Sequence, residues 1–234
     1  MQELTKNDLR YVVSHLPKDV RNLIKSEKLF LGGGFIRETI SGEKPKDIDL
    51  FGADEKALKR VADKLETDRD ARKYQTDNAI TLLTPPRMPV QFIIKWLYSE
   101  PEKLVESFDF TVCQAIVWYD SLEKKWQSMV HPDFYSDLAA KRLVYTFPER
   151  EEAAGGSIMR VLKFLRRGYN IQAHSLSGVM ARVFQAIEKH EEREGNNSEK
   201  WFSTVIEGLL REVDPLTVID GIDFGDEHQK LDDF

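Results

Sequence analysis

The chain mixes two hydrophobic periods up to about residue 147 and keeps only one afterwards. Residues 6–15 and 18–26 read as two short helices, with Pro17 near the start of the second, where a missing N–H is harmless. KLFLGGGF (28–35) is an apolar strand running into three glycines, and IRETISGE (36–43) is a short helix closed by Gly42. DIDLFG (47–52) alternates, so Ile48 and Leu50 face one way and Asp47 and Asp49 the other. DEKALKRVADKLE (54–66) is an amphipathic helix with Ala57, Leu58, Val61, Ala62 and Leu65 on one face. AITLLT (79–84) and PVQFIIKW (89–96) are short strands divided by Pro85-Pro86, and PEKLVES (101–107) is a helical turn. FDFTVCQAIVWY (108–119) is the longest β-like run, and RLVYTF (142–147) adds a last small strand. Beyond Pro148 the i, i+3, i+4 spacing predicts helices over 157–169, 175–192 and 198–213.

This order predicts an α+β fold: a small mixed β-sheet head with flanking helices over residues 1–147, then an all-helical part over 148–212. An acidic stretch, 213–234, is sparse in apolar residues and is expected to be a flexible tail. Hydrophobic residues make up 41% of the 234, enough for a folded core. No apolar run approaches the roughly 18 residues that span a bilayer, so no membrane partner is expected. The N-terminus is polar and Cys113 is the single cysteine, which excludes an internal disulfide and favours the cytoplasm.

The net charge of −6 is unevenly spread. Residues 212–234 hold eight acids and one lysine, −7, and the other 211 residues hold 33 basic and 32 acidic groups, +1. A nearly neutral body permits nucleic-acid contact through a local patch without announcing it.

The chemistry concentrates between residues 33 and 49. Glycines between a strand and a helix start let backbone approach phosphates, and the helix start offers free N–H donors. Two aspartates at i and i+2 on a strand project from one face and can share divalent cations, and their oxygen ligands suit Mg²⁺ or Mn²⁺. Singly, a Gly-Gly turn or an Asp-x-Asp pair is common; in this sequence, with a short helix between, they become specific.

GGGFIRETISGEKPKDIDLF resembles the signature of the DNA-polymerase-β-like nucleotidyltransferase superfamily, closest to the head of class II CCA-adding enzymes and bacterial poly(A) polymerases. Gly33, Gly34, Arg37, Glu38, Gly42, Pro45, Asp47 and Asp49 fall into that pattern without a gap. The resemblance implies triphosphate binding by Gly33, Gly34 and Arg37, and catalytic metal binding by Asp47 and Asp49. It implies an enzyme that moves a nucleotide from a nucleoside triphosphate, releasing pyrophosphate, to a hydroxyl acceptor such as an RNA or tRNA 3′ end. SFDFTVCQ (107–114) is similar to the family's Arg-Arg-Asp-Phe-Thr-x-Asn-Ala segment, with Asp109, Phe110 and Thr111 matching and Ser107, Phe108 and Cys113 departing. Two roles stay open for Asp109 on this resemblance: holding the nucleotide ribose, or supplying a third metal carboxylate, since Gln91 stands where another acid would be a candidate. PDFYSDLAAKRLVYT is similar to the segment leaving the head, with Asp137-Leu138 in place.

The neck departs from the pattern. Where the family reads the incoming base with Glu-Asp-x-x-Arg, this chain has Gly156, Ser157 and, retained, Arg160 as a nucleotide contact. The resemblance covers about residues 30–170, and the residues after Gly168 are too few for the family's tRNA-gripping domains. The alternative function is a non-catalytic nucleotide-binding or interaction protein on the same fold.

Other charges admit two readings. Lys44 and Lys46 beside the aspartates are solvated or touch the triphosphate. Arg160, Lys163, Arg166 and Arg167 form a basic helix face, solvated or phosphate-contacting. Cys113 reads as a buried, inert thiol, and the five scattered histidines show no metal spacing. The C-terminal KLDDF is a solvating end or a docking tail for a partner.

Overall fold

The computed structural model describes residues 1–148 and 154–194, together with Trp201 and Ser203. The expected third helix over 198–213, apart from those two helical residues, and the acidic tail lie outside the described residues. The chain divides into two compact units, Met1–Glu149 and Arg150–Phe234.

In the first unit the elements run α1 (Lys6–His15), α2 (Lys18–Glu27), β1 (Phe30–Gly32), α3 (Gly34–Ile40), β2 (Ile48–Phe51), α4 (Glu55–Arg69), β3 (Arg72–Gln75), β4 (Ala79–Leu83), β5 (Val90–Ile93), α5 (Pro101–Glu106), β6 (Ala115–Asp120), β7 (Lys125–Val130) and α6 (Phe134–Ala139). Local chemistry sets several ends. The Thr5 hydroxyl caps α1 by accepting from the Asp8 N–H, and the Asp54 carboxylate caps α4 by accepting from the Ala57 N–H. One mixed seven-stranded sheet results, in the order β3-β4-β5-β2-β1-β6-β7. Only β2 and β5 pair in parallel; the other neighbours are antiparallel.

Strand alternation gives the sheet two distinct faces. Leu31, Leu50, Phe92 and Ile80 lie in register across four strands and are all buried. Helix α4 covers that face with Leu58, Val61, Ala62 and Leu65, its Leu58 reaching the strand end at Gly52. The opposite face gathers Phe30, Phe51 and Ile116 with Leu104 and Val105 of α5, and Phe108 and Trp118 pack against them. Gly32 belongs to this second face, and an added Cβ would lie 2.9 Å from the Phe51 ring and 3.0 Å from that of Phe108.

Both ends of α2 are tied to α4, Glu27 to Arg60 at 2.9 Å and Asp19 Oδ2 to Arg69 Nε at 2.8 Å. Burial pushes the Asp19 carboxyl up, but the hydrogen bond and charge of Arg69, with the Val20 N–H, outweigh it and hold the group below the usual carboxylate range. A carboxyl depressed on folding adds stability above its unfolded pKa and loses it as pH falls through the folded value. Melting temperature should therefore fall less steeply below about pH 4 in Asp19→Asn than in the wild type. Parallel melting-versus-pH curves for the two proteins would contradict this.

Three sequence expectations need correction. The run 108–119 is not one strand: Thr111–Cys113 forms a 3-10 turn and the strand begins at Ala115. The Gln114 amide donates to the Phe108 carbonyl at 2.9 Å, closing the turn on itself before the strand can start. Strands β3 and β7, both edges of the sheet, are not expected from the pattern, because their polar and half-exposed residues lack a clean buried alternation. RLVYTF is a strand only at Arg142–Leu143, and Tyr145 makes an isolated bridge to Phe110.

In the second unit α7 (Ala154–Arg166) and α8 (Ala173–Glu194) pack together. Val183 and Ile187 of α8 meet Ile158 and Trp201, and Phe164 stacks edge-on to Tyr169 at 4.9 Å. Among the described residues no helix is long and apolar enough to cross a membrane.

Candidate active site

The β1–α3 junction and β2 build the site. Gly33 has φ +72° and ψ −146°, a conformation essentially reserved for glycine, and it stands at the N-cap of α3. Gly32 pairs with Asp49 across the antiparallel β1–β2 ladder, which sets Asp49 beside the turn. A Cβ on Gly33 would overlap Asp49 Oδ2, so the carboxylate occupies the space that glycine leaves. Asp49 is half-buried between the fully buried Ile48 and Leu50, and Asp47, also half-buried, stands immediately before β2. Backbone donors at a helix start and two carboxylates thus share one short stretch of surface.

Gly33→Ala meets both obstacles, the positive φ and the Asp49 oxygen. It should cost about 1–3 kcal/mol of stability and displace Asp49. The check is urea unfolding alongside nucleotide titration, and a variant with wild-type stability would contradict the constraint.

The other sequence candidates fall in different surroundings. Arg37 is buried rather than displayed: its Nη2 lies 3.1 Å from Glu38 Oε1, and its Nη1 lies 3.6 Å from Cys113 Sγ. It thereby joins α3 to the 3-10 turn that follows Asp109. Cys113 is buried and free of any disulfide. Gly34 adjoins this pair, since a Cβ there would sit 3.3 Å from Arg37 Nη2. Asp109 is only 2% exposed, and its carbonyl accepts from the Thr146 N–H at 3.0 Å. Lys44 and Lys46 are exposed beside the aspartates. Arg160 belongs to the second unit, where its guanidinium folds over Gly156, 3.4 Å from an ideal Cβ there. Ser157 beside it is fully buried.

Two groups already marked in the sequence, Asp137 and Gln91, gain their surroundings from the fold. Asp137 is completely buried, accepting from the Thr111 hydroxyl at 2.6 Å and from Arg142 Nε and Nη2 at 2.8 and 2.6 Å. It fixes the turn behind Asp109. Gln91 of β5 lies in parallel register with Asp49 of β2. Only strand pairing brings residues 42 positions apart side by side; the sequence marks Gln91 as standing where an acid would be a candidate, without placing it beside Asp49.

Asp47 and Asp49 offer all-oxygen donors, with Asp49 cradled by Gly33, and this donor set fits Mg²⁺ or Mn²⁺. Among the described residues no group of three or more His, Cys, Asp or Glu side chains could hold a metal ion. Further ligands would come from phosphate and water oxygens, as is usual for Mg²⁺.

Comparison with known proteins supplies two kinds of relative. The family model described as Gabija anti-defense 2 family protein matches residues 3–141, more than half of the chain. The protein "Gabija anti-defense 2" of Bacillus phage SPbetaL7 is 24% identical over 161 residues, which cover 68% of this chain and 38% of the phage protein. Among solved structures, the Thermotoga maritima CCA-adding enzyme complexed with tRNA superposes with a TM-score of 0.55 at 18% identity, over 92% of this chain and 53% of the enzyme. A tRNA nucleotidyltransferase complexed with a primer tRNA and an incoming ATP analog gives a TM-score of 0.51 at 15% identity, over 90% of this chain and 65% of that one. The structural likeness is one of fold, the nucleotidyltransferase fold. The chain spans well under half of the phage protein and about half to two thirds of these enzymes.

Proposed function

The chain belongs to the Gabija anti-defense 2 family, and from that premise we propose that it is a metal-dependent nucleotidyltransferase whose transfer reaction counters the defence for which the family is named. It moves a nucleotide from a nucleoside triphosphate to a hydroxyl acceptor, with an RNA 3′ end as the leading candidate, and acts in the cytoplasm. The observation that carries this reading is the seating of Asp49 Oδ2 in the space left by Gly33, at the start of α3, with Asp47 two residues before it in the chain.

The roles follow from position. The Gly33-Gly34 backbone and the α3 N-terminus bind the triphosphate, where the helix dipole favours negative charge. Asp47 and Asp49 hold Mg²⁺ or Mn²⁺, which when bound neutralises charge developing on the phosphates and the leaving pyrophosphate. Lys46 adds an exposed cation beside them. Asp109, held by the turn behind it, orients the ribose; as a third metal ligand it would have to turn from its buried position. Arg37 keeps α3 against that turn. The acidic tail docks on a protein partner.

The test is incubation of the full chain with each of four labelled nucleoside triphosphates, Mg²⁺ and total RNA. Metal-dependent label on RNA is the expected result. Triphosphate binding without transfer to RNA, protein or small molecules would sink the proposal.

A second reading, a non-catalytic nucleotide-binding protein that acts by association, draws on Gly156 and the buried Ser157 standing where base-reading acids are expected. Under it, added Mg²⁺ leaves the melting temperature of the nucleotide-bound chain unchanged and Asp47→Asn has no effect.

A further inference from the structure

We propose that Gln91 is a positioning residue for the acceptor, binding the sugar or hydroxyl at the end of the strand to be extended. This role rests on the nucleotidyl-transfer reading above and names the place of its second substrate.

Strand order sets the geometry. β2, which carries Asp49, lies between β1, which leads to the glycine turn, and β5, which carries Gln91. Gln91 is the parallel-register neighbour of Asp49, about 4.8 Å away across the sheet and on the same face. The triphosphate belongs at the glycine turn, on the β1 side of Asp49. Phosphoryl transfer places attacking and leaving oxygens roughly in line on opposite sides of the phosphorus. If pyrophosphate leaves on the β1 side, the attacking hydroxyl arrives on the β5 side, over Gln91.

The side chain suits that place. Gln91 is half-buried between the fully buried Val90 and Phe92 on the opposite face, so its direction is set by the strand. Among the described residues its amide makes no hydrogen bond, leaving one acceptor and two donors for a ligand. A carboxylate here would join the two aspartates as a third metal ligand. A neutral amide neither binds Mg²⁺ strongly nor takes a proton, but it donates to and accepts from ribose hydroxyls. In the transfer step the acceptor oxygen bonds to the α-phosphorus and the bond to the pyrophosphate oxygen breaks. Pyrophosphate leaves with the electron pair, and the hydroxyl proton passes to solvent water.

Two measurements on the full chain test this. The first uses Mn²⁺ alone, followed by the electron paramagnetic resonance of the free ion. Gln91→Glu should bind Mn²⁺ about tenfold more tightly than wild type, because a third carboxylate then adjoins Asp49. Unchanged affinity would overturn the placement whatever the activity. The second varies a single-stranded oligoribonucleotide with a free 3′ hydroxyl. Gln91→Ala should raise the acceptor KM about fivefold, the worth of a lost hydrogen bond, with the nucleoside triphosphate KM held. A shift in the nucleotide KM alone, or in neither, overturns the acceptor role while leaving nucleotidyl transfer standing. A wild type that binds Mn²⁺ and nucleotide yet transfers nothing would remove the functional reading and this one with it.

Discussion

Asp49→Asn should lower nucleotide transfer by about a thousandfold or more, equivalent to roughly 4 kcal/mol of transition-state stabilisation, while leaving the fold intact. The exchange keeps the shape that fills the space beside Gly33, so the β1–α3 turn retains its packing. It removes a charge two residues from Asp47, and like charges repel without a metal between them. Transfer falls because the site loses one of its two carboxylates, and among the described residues no third acid is grouped with them to compensate. Single-turnover transfer at saturating Mg²⁺ and a thermal melt with and without metal make the comparison. Activity within tenfold of wild type would remove Asp49 from the catalytic centre.

The second large effect is on stability. Asp137→Ala should destabilise the first unit by about 3–5 kcal/mol, far more than an average surface change. The carboxylate is fully buried and takes three charge-assisted or hydroxyl hydrogen bonds, two from Arg142 and one from Thr111. Arg142, two fifths exposed at 41%, can turn to water when its partner goes. Thr111, at 1% exposure, cannot, and an orphaned buried hydroxyl costs about 1–3 kcal/mol. Thr111 opens the 3-10 turn, and its N–H and that of Thr146 clip this segment to residues 144–146 through the carbonyls of Val144 and Asp109. Loosening it should also weaken nucleotide binding through Asp109. Urea unfolding gives the first quantity and nucleotide titration the second. A loss below about 1 kcal/mol would mean that the pair is relieved by water and is not a structural anchor.

The two effects divide the molecule usefully. Asp49 is a residue whose removal should spare the fold and end the reaction. Asp137 is not one of the carboxylate pair, yet it holds the turn on which Asp109 depends. A variant screen scored only on activity would confuse them, whereas activity read beside unfolding separates them.

Much of the site is legible in the linear chain because its chemistry is local. A strand period of two predicts Asp47 and Asp49 on one face from the sequence alone, although β2 itself begins at Ile48. Three glycines between an apolar strand and a helix announce a turn only glycine tolerates, and Gly33 adopts it at φ +72°. The α+β order, the amphipathic helix α4 and the change to helix after residue 148 also follow from periodicity within short windows. Where a feature depends on who pairs with whom, the linear pattern is silent. The β-rich run 108–119 breaks because the Gln114 side chain satisfies the Phe108 carbonyl, a bond with no periodic trace. β3 and β7 exist because β4 and β6 offer them free ladder groups, so polar segments of modest β character are recruited as edges. Arg37, which looks like a phosphate ligand, is drawn inward by Glu38 and the Cys113 thiol. Sequence alone determined the glycine turn and the paired carboxylates, because backbone geometry over a few residues dictates both. Tertiary structure decided what stands around them: Gln91 beside Asp49 through parallel pairing, and Asp137 behind Asp109 through a buried hydrogen-bonded ion pair, since contacts between residues far apart in the chain are set by packing and not by local period.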